Sequence, residues 1–158
     1  MPQAKDTDHT TAQRTLRELL VGSLVSAAGI RAGFPFLQFA KDVSGMESIL
    51  QIDSQIALSP VAEIPAGLGS DQRDHLTLMT LDSQEVRDLQ CSPDGTLILR
   101  FHGGQSLTVD GIANDVSFPE PWVVTQSNIN TTEGGAKVVS LGPSGFAVWE
   151  ASPGAARD

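Results

Sequence analysis

The sequence predicts a mainly β protein with short helices, an α+β chain whose strands pack as a β-sandwich or as a barrel-like sheet. Three observations predict this class. Apolar and polar residues alternate over several stretches of five to seven residues, as in strands with one buried face. Only two stretches have helical spacing of apolar residues. The 15 glycines and 9 prolines punctuate the chain at short intervals, which is typical of turn-rich β proteins.

Size and charge restrict the classes of partner. The chain has 158 residues, the usual size of one domain, and its 40% of apolar residues suffice for a core. Its 19 acidic residues outnumber 10 basic ones and give a net charge of −9, which repels nucleic acid and anionic membranes and favours a basic protein partner. The single cysteine, Cys91, excludes an intramolecular disulfide. With a polar N-terminus, this predicts a cytoplasmic protein.

The first half of the chain predicts one helix and three strands. Leu16, Leu19 and Leu20 share a helical face, and Gly22 is suited to end that helix. In the next strands Leu37 and Phe39 should point one way, while Leu50 and Ile52 share a face. The predicted elements are a disordered leader (1–9), a helix from Thr10 or Thr11 to about Val21, and strands at 24–28, 34–39 and 47–53.

The second half begins with a surface connection and repeats the pattern. Ser70 is a plausible N-cap for a helix over 71–81, although Leu76 to Leu78 also alternates like a strand. Leu97, Leu99 and Phe101 should point inward, together with Leu107 and Val109. The predicted elements are a connection (59–69), strands at 85–91, 96–102, 105–110, 122–125, 137–141 and 146–149, turns at 92–95 and 142–145, a two-residue primed hairpin turn at Gly103 and Gly104, and a tail (151–158).

An internal duplication is one explanation of this pattern. Residues 36–39 align with 98–101, and residues 48–53 align with 105–110. We therefore expect a single domain over 10–150, with tandem helix-strand-strand-strand units at about 14–58 and 75–125 and a closing hairpin at 137–150. Further strands are expected at 55–58 and 116–125. The alternative is that alternating strands resemble one another by chance.

The second half also resembles a known family. It contains DGTLILRF at 94–101, GQSLTV at 104–109, EPW at 120–122 and GPSGFAVW at 142–149. This order is similar to a family of small, uncharacterised actinobacterial proteins with a DGxLxLxF strand, an LxV strand, an acidic-x-Trp step and a closing GGxLAVW strand. The chain departs from that pattern at Pro121 and at residues 143–144. The resemblance implies a cytoplasmic β-rich protein without an assigned activity. Some members of that family are small, acidic and β-rich, as immunity proteins that bind toxins are.

No motif in the sequence predicts an enzyme, a metal site or a cofactor. His9, His75 and His102 are scattered, without the spacing of metal ligands. Cys91 lacks the positive surroundings that activate a thiol, so a buried position is expected. Phosphate-binding loops, nucleophile elbows and calcium-binding loops are also absent from the sequence. We therefore expect a protein that is not an enzyme.

One acidic run is the candidate binding site. Asp110, Asp115 and Glu120 lie on one connection between strands, and Asp53 occupies the corresponding place in the first unit. They could form a negative rim for a basic protein partner, with Trp122 as an anchor, although core packing of the tryptophans and a purely solvating role for the carboxylates are the alternatives. A homodimer through exposed strand edges and a small-ligand or enzyme site in a barrel mouth also remain open.

Overall fold

The computed structural model describes residues 5–7, 9–41, 46–115, 117, 119–128 and 134–150. Two helices, α1 (His9–Leu20) and α2 (Ser70–Met79), accompany eleven strands in this part of the chain. The strands are β1 (Lys5–Thr7), β2 (Leu24–Arg31), β3 (Phe34–Ala40), β4 (Met46–Ile52), β5 (Ser54–Ser59), β6 (Val86–Cys91), β7 (Leu97–Phe101), β8 (Ser106–Ala113), β9 (Trp122–Asn128), β10 (Gly134–Ser140) and β11 (Phe146–Trp149).

The strands form two open antiparallel sheets, which confirms the predicted mainly β class. The larger sheet has the order β1-β11-β10-β9-β4-β3-β2, and the smaller has the order β5-β8-β7-β6. The larger sheet contains the three-strand meander β2–β4 and the smaller sheet contains β6–β8; β9–β11 form a further meander in the larger sheet. The strand that follows each of the first two meanders crosses to the other sheet, since β5 pairs with β8 and β9 pairs with β4. The halves of the chain are therefore interlocked by exchanged strands.

One hydrophobic core lies between the sheets, and the alternation in the sequence determines which side chains enter it. Leu37, Phe39, Leu50 and Ile52 are buried in the larger sheet as predicted. Their counterparts in the smaller sheet are Leu97, Leu99, Phe101, Leu107 and Val109, all completely buried. Both groups belong to the same packed cluster, which α1 joins through Leu16, Leu19 and Leu20. Two meanders with one apolar face each thus bury those faces against each other.

The two sheets meet at a joint to which both halves of the chain contribute equivalent backbone hydrogen bonds. Leu24 and Glu85, 61 residues apart, form an antiparallel bridge. Val25 donates a backbone hydrogen bond to the carbonyl just before Glu85, and Val86 donates one to the carbonyl just before Leu24, both at 2.9 Å. The strand register also shifts after Val25 and again after Val86. The two meanders therefore contribute equivalent hydrogen bonds to this bridge.

The beginning of the chain differs from the prediction. Lys5–Thr7, assigned to a disordered leader, forms β1 and pairs with β11, and α1 begins at His9, before the predicted cap. This pairing joins residues about 140 positions apart, so local sequence patterns carry no signal for it. Residues 1–4 and 8 and the predicted tail at 151–158 lie outside the described residues.

The prediction of a two-residue turn at Gly103 and Gly104 is wrong. Gly104 N–H donates to Phe101 O and Phe101 N–H donates to Gln105 O, so the loop spans three residues, 102–104. Gly104 alone of the two glycines has a positive φ, +95°, whereas both primed turn types require a positive φ at the first central residue, which would be Gly103. The type of turn depends on how the flanking strands register, which the Gly-Gly pair does not fix.

The second helix and the later strands occur close to their predicted places. α2 spans Ser70–Met79, so the helix is confirmed over the alternative strand, but Gly69 rather than Ser70 is its N-cap. The turn at 92–95 is confirmed by a hydrogen bond from Gly95 N–H to Ser92 O and by the positive φ of Gly95, +94°. Within the described residues, no helix is both long and apolar enough to cross a membrane.

Candidate functional site

Asp53 lies where the chain crosses between the sheets, between β4 and β5, and its backbone holds the acidic connection in place. Asp53 N–H donates to Pro121 O, and Asn114 N–H donates to Asp53 O, both at 2.8 Å. These two bonds fix both ends of the 114–121 connection against one residue. Because Asp115 follows Asn114 and Glu120 precedes Pro121, three carboxylates come together here: Asp53, Asp115 and Glu120.

Two of these carboxylates line a surface hollow with an apolar wall, which we call the acidic hollow. Its volume is about 320 Å³, and its lining consists of Phe34, Gln51, Asp53, Glu120 and Val123. The phenylalanine ring and the valine offer apolar surface, and Gln51 adds an amide. An aromatic face beside carboxylates suits a cation with an aliphatic stem, such as a lysine or arginine side chain.

The carboxylates of the acidic hollow form no ion pair among the described residues. The ion pairs in that part of the chain are Arg14–Glu150, Arg17–Asp88 and His102–Glu85, none of which includes this site. Burial raises the pKa of the Asp53 carboxyl above its usual value, and the negative charge of Asp115 raises it further, while a hydrogen bond from the Asp115 backbone partly lowers it. The folded chain thus holds like charges together at some cost.

Asp110 lies in a separate hollow, so the predicted acidic rim is divided between two places. This Asp110 hollow has a volume of about 330 Å³ and is lined by Gln55, Ile56, Ala57, Thr96, Thr108 and Asp110. Its lining residues occupy positions in the strand pairs that resemble those of the acidic hollow. The matching pairs are Phe34 with Thr96, Gln51 with Thr108, Asp53 with Asp110 and Val123 with Ala57. The described residues that line this second hollow include no aromatic side chain.

Trp122 belongs to the core rather than to the surface, which corrects its assignment as an anchor for a partner. The residue is completely buried, its ring lies 6.2 Å from that of Phe146, and its Nε1–H donates to Gly95 O at 2.7 Å. Ser140 Oγ donates to the same carbonyl. Trp122 therefore fastens the 92–95 turn to the larger sheet. Trp149 is half-buried, with the Lys137 ammonium 5.3 Å from its ring centre.

Two further residues with reactive side chains, Cys91 and His102, are accounted for by burial and by an ion-pair contact. Cys91 is buried as expected, and burial raises the pKa of its thiol to about 11, which leaves it unreactive at neutral pH. His102 contacts Glu85, with Nε2 3.4 Å from Oε2. Within the described ranges, no group of three or more histidine, cysteine, aspartate or glutamate side chains could hold a metal ion.

Comparisons with protein-family models, with curated proteins and with solved structures find no match to this chain. The site therefore has to be interpreted from its own residues. Sequence reasoning named all four carboxylates but missed Phe34, Gln51 and Val123, which form the walls of the acidic hollow. Their outward positions on β3, β4 and β9 follow from the alternation, but their convergence depends on the pairing of β4 with β9.

Proposed function

We propose that this protein is a cytoplasmic, non-enzymatic binding module that recognises a basic segment of another protein. The observation that carries the proposal is the acidic hollow, which Asp53 and Glu120 line together with Phe34. Asp115 adds a third negative charge beside them. A lysine or arginine side chain would place its stem on the apolar wall and its charge between the carboxylates.

Electrostatics supports a cationic partner in two ways. The net charge of −9 increases the rate at which a basic partner arrives. The like charges at Asp53 and Asp115 oppose each other in the free protein, and a bound cation would relieve that opposition. Binding sites commonly contain groups with shifted pKa values, because a less stable arrangement in the free protein can favour binding.

We also propose that the chain arose by duplication of a unit of one helix and three strands, each copy being followed by a strand that pairs in the other sheet. We further propose that the chain is related to the actinobacterial family it resembles. The joint at Leu24 and Glu85 and the matching pairs of the two hollows support the duplication. The two hollows would then have diverged, since Phe34 is replaced by Thr96 at the second place. That difference favours the acidic hollow as the main site for a cation.

The proposal is tested by affinity capture from a native lysate, identification of the captured protein and measurement of its dissociation constant once purified. The site variant is D53N/D115N/E120Q. The matched control is E18Q/D71N/D82N, which removes three negative charges from exposed side chains elsewhere. We expect the site variant to weaken binding at least about tenfold and the control to change it less than about threefold.

Two results would contradict the proposal. Equal weakening by both triple variants would mean that only overall charge matters. Unchanged binding of the site variant would mean that the acidic hollow does not contact the partner.

A further inference from the structure

The edge strand β5 lacks a neighbour that its counterpart in the other sheet possesses. Leu58 on β5 lies opposite Leu107 on β8, just as Val124 on β9 lies opposite Leu50 on β4. On its other side, Val124 pairs with Val138 of β10. Within the described part of the chain, no strand pairs with the other side of β5.

The backbone groups of β5 that face this open side can be assigned from the hairpin between β7 and β8. Phe101 N–H donates to Gln105 O, and hydrogen-bonded pairs alternate along an antiparallel ladder, so Leu107 bonds to Leu99 on β7. The backbone of Leu107 is therefore directed away from Leu58. It follows that Leu58, and Ile56 two residues earlier, direct their N–H and C=O groups outward, where a further strand would bind them.

The surroundings of this edge specify what kind of strand would fit. The Asp110 hollow adjoins β5 at Gln55, Ile56 and Ala57, and none of the described residues in its lining is basic. A second hollow of about 210 Å³ adjoins β5 at Ile56–Leu58; its further lining is Val61, Ala62, Ile64, Arg73, Asp74 and Thr77. One face of an added strand would thus meet apolar side chains together with Arg73 and Asp74, and the other would face the Asp110 hollow.

We propose that the outer edge of β5 binds an extended peptide as an antiparallel strand, in the place that β10 occupies in the larger sheet, with a lysine or arginine of the peptide beside Asp110. The basic character of the peptide rests on the proposed function. β10 shows the same alternation, since Lys137 is exposed between the buried Ala136 and Val138. On β10 it is Val139 that pairs with Val123, the counterpart of Ala57 in the Asp110 hollow, so the peptide needs its basic residue at that position. Charge favours this occupant over a second copy, because pairing two β5 edges would bring two chains of charge −9 together.

The test uses the whole protein and a blocked synthetic peptide, GGAVVKS, which is the sequence of residues 134–140 with Lys137 and Val139 exchanged, so that it reproduces β10 with its lysine opposite Ala57. Amide signals are followed by NMR, with the peptide added to about 2 mM, which detects binding as weak as a millimolar dissociation constant. We expect the Ile56 and Leu58 amides to shift and to exchange with solvent at least about threefold more slowly. A peptide with proline in place of its valine at 138 should produce neither effect.

Protein variants separate the strand from the charge. A57K places a charge at the exposed edge and should abolish binding, whereas Q90K adds the same charge to an exposed position on β6 and should leave it intact. D110N, which retains the oxygen that accepts from Ile112 N–H, should weaken binding of the lysine peptide but not of a peptide with glutamine in its place. If amide exchange at Ile56 and Leu58 slows to the same extent in D110N and at high salt as in the parent protein, the result supports strand addition but contradicts a charge-based function.

Other outcomes would overturn the strand proposal. Shifts confined to the acidic hollow would leave the proposed function standing and remove β5 as the binding edge. Peptide binding that is unaffected by A57K would do the same. Slowed exchange of Ile56 and Leu58 that depends on protein concentration without peptide would identify a second copy as the occupant.

Discussion

Gly22 and Ser83 occupy corresponding positions on the two sides of the joint, and both have left-handed backbones, with φ of +86° and +65°. Gly22 N–H donates to Val86 O and Ser83 N–H donates to Val25 O, each at 2.9 Å. One half of the chain thus uses glycine where the conformation demands it, and the other half tolerates a strained serine.

The first prediction concerns this pair. S83G should raise the free energy of unfolding by about 0.5 to 1 kcal/mol, because glycine adopts a positive φ without the clash of a Cβ atom. The reciprocal variant, G22S, should lower it by about 1 kcal/mol or more, since it introduces the same strain. Urea unfolding of both variants measures the change. If S83G is less stable than the parent chain, relief of backbone strain at position 83 does not outweigh the loss of the serine side chain.

The core illustrates how far the sequence predicts the fold. Alternation correctly places Leu97, Leu99 and Phe101 in the interior, because a strand exposes its two faces in turn whatever its neighbours are. The exchange of β5 and β9 between sheets leaves no comparable local pattern. It depends on ladders such as Leu50 with Val124, whose partners lie 74 residues apart.

The candidate site shows the same limit. Asp53, Asp115 and Glu120 are recognisable as surface carboxylates from the sequence, but the sequence also groups Asp110 with the last two, whereas it lies in its own hollow. The deciding contacts are the backbone bonds of Asp53 to both ends of the connection, and backbone bonds between distant loops carry no residue signature. The burial of Trp122 has a similar origin, since its indole N–H meets a carbonyl 27 residues earlier.

The second prediction concerns Trp122. W122F removes the hydrogen bond to Gly95 O and opens space in the core, so it should lower the free energy of unfolding by about 2 to 3 kcal/mol. W149F, at a half-buried position, should cost less than about 1 kcal/mol. Denaturant unfolding followed by circular dichroism measures both without relying on tryptophan fluorescence. Comparable losses in the two variants would argue against a special role for the Trp122 bond.

The third prediction concerns the thiol of Cys91. Burial raises its pKa to about 11 from 9.0, so the thiolate fraction at pH 8 falls about a hundredfold, and the core also blocks the reagent. Ellman's reagent should therefore label the native protein far more slowly than the protein in urea. The matched control is C91A/Q90C, which moves the thiol to an exposed neighbouring position and should react at once. Rapid labelling of native Cys91 would show that β6 opens readily from α1.

The fourth prediction uses two carboxylates whose pKa values are displaced in opposite directions. Burial and the charge of Asp115 raise the pKa of Asp53, so the folded state favours its protonated form. That preference stabilises the fold at pH values below the usual carboxyl pKa, and the stabilisation is lost as the pH rises through the raised pKa of Asp53. D53N should therefore stabilise the protein at pH 7, and its advantage should shrink as the pH falls below about 4.

Asp88 supplies the opposite case within the same fold. Burial raises the pKa of Asp88, but the Leu89 N–H and the Arg17 guanidinium outweigh burial and lower it overall. The ionised form is then favoured, so its contribution is present at neutral pH and is lost as the pH falls through the lowered pKa. D88N should accordingly destabilise the protein at pH 7, and the difference should close in acid. Thermal unfolding between pH 3 and pH 7 compares the variants, and effects of the same sign for D53N and D88N would contradict the electrostatic account of the acidic hollow.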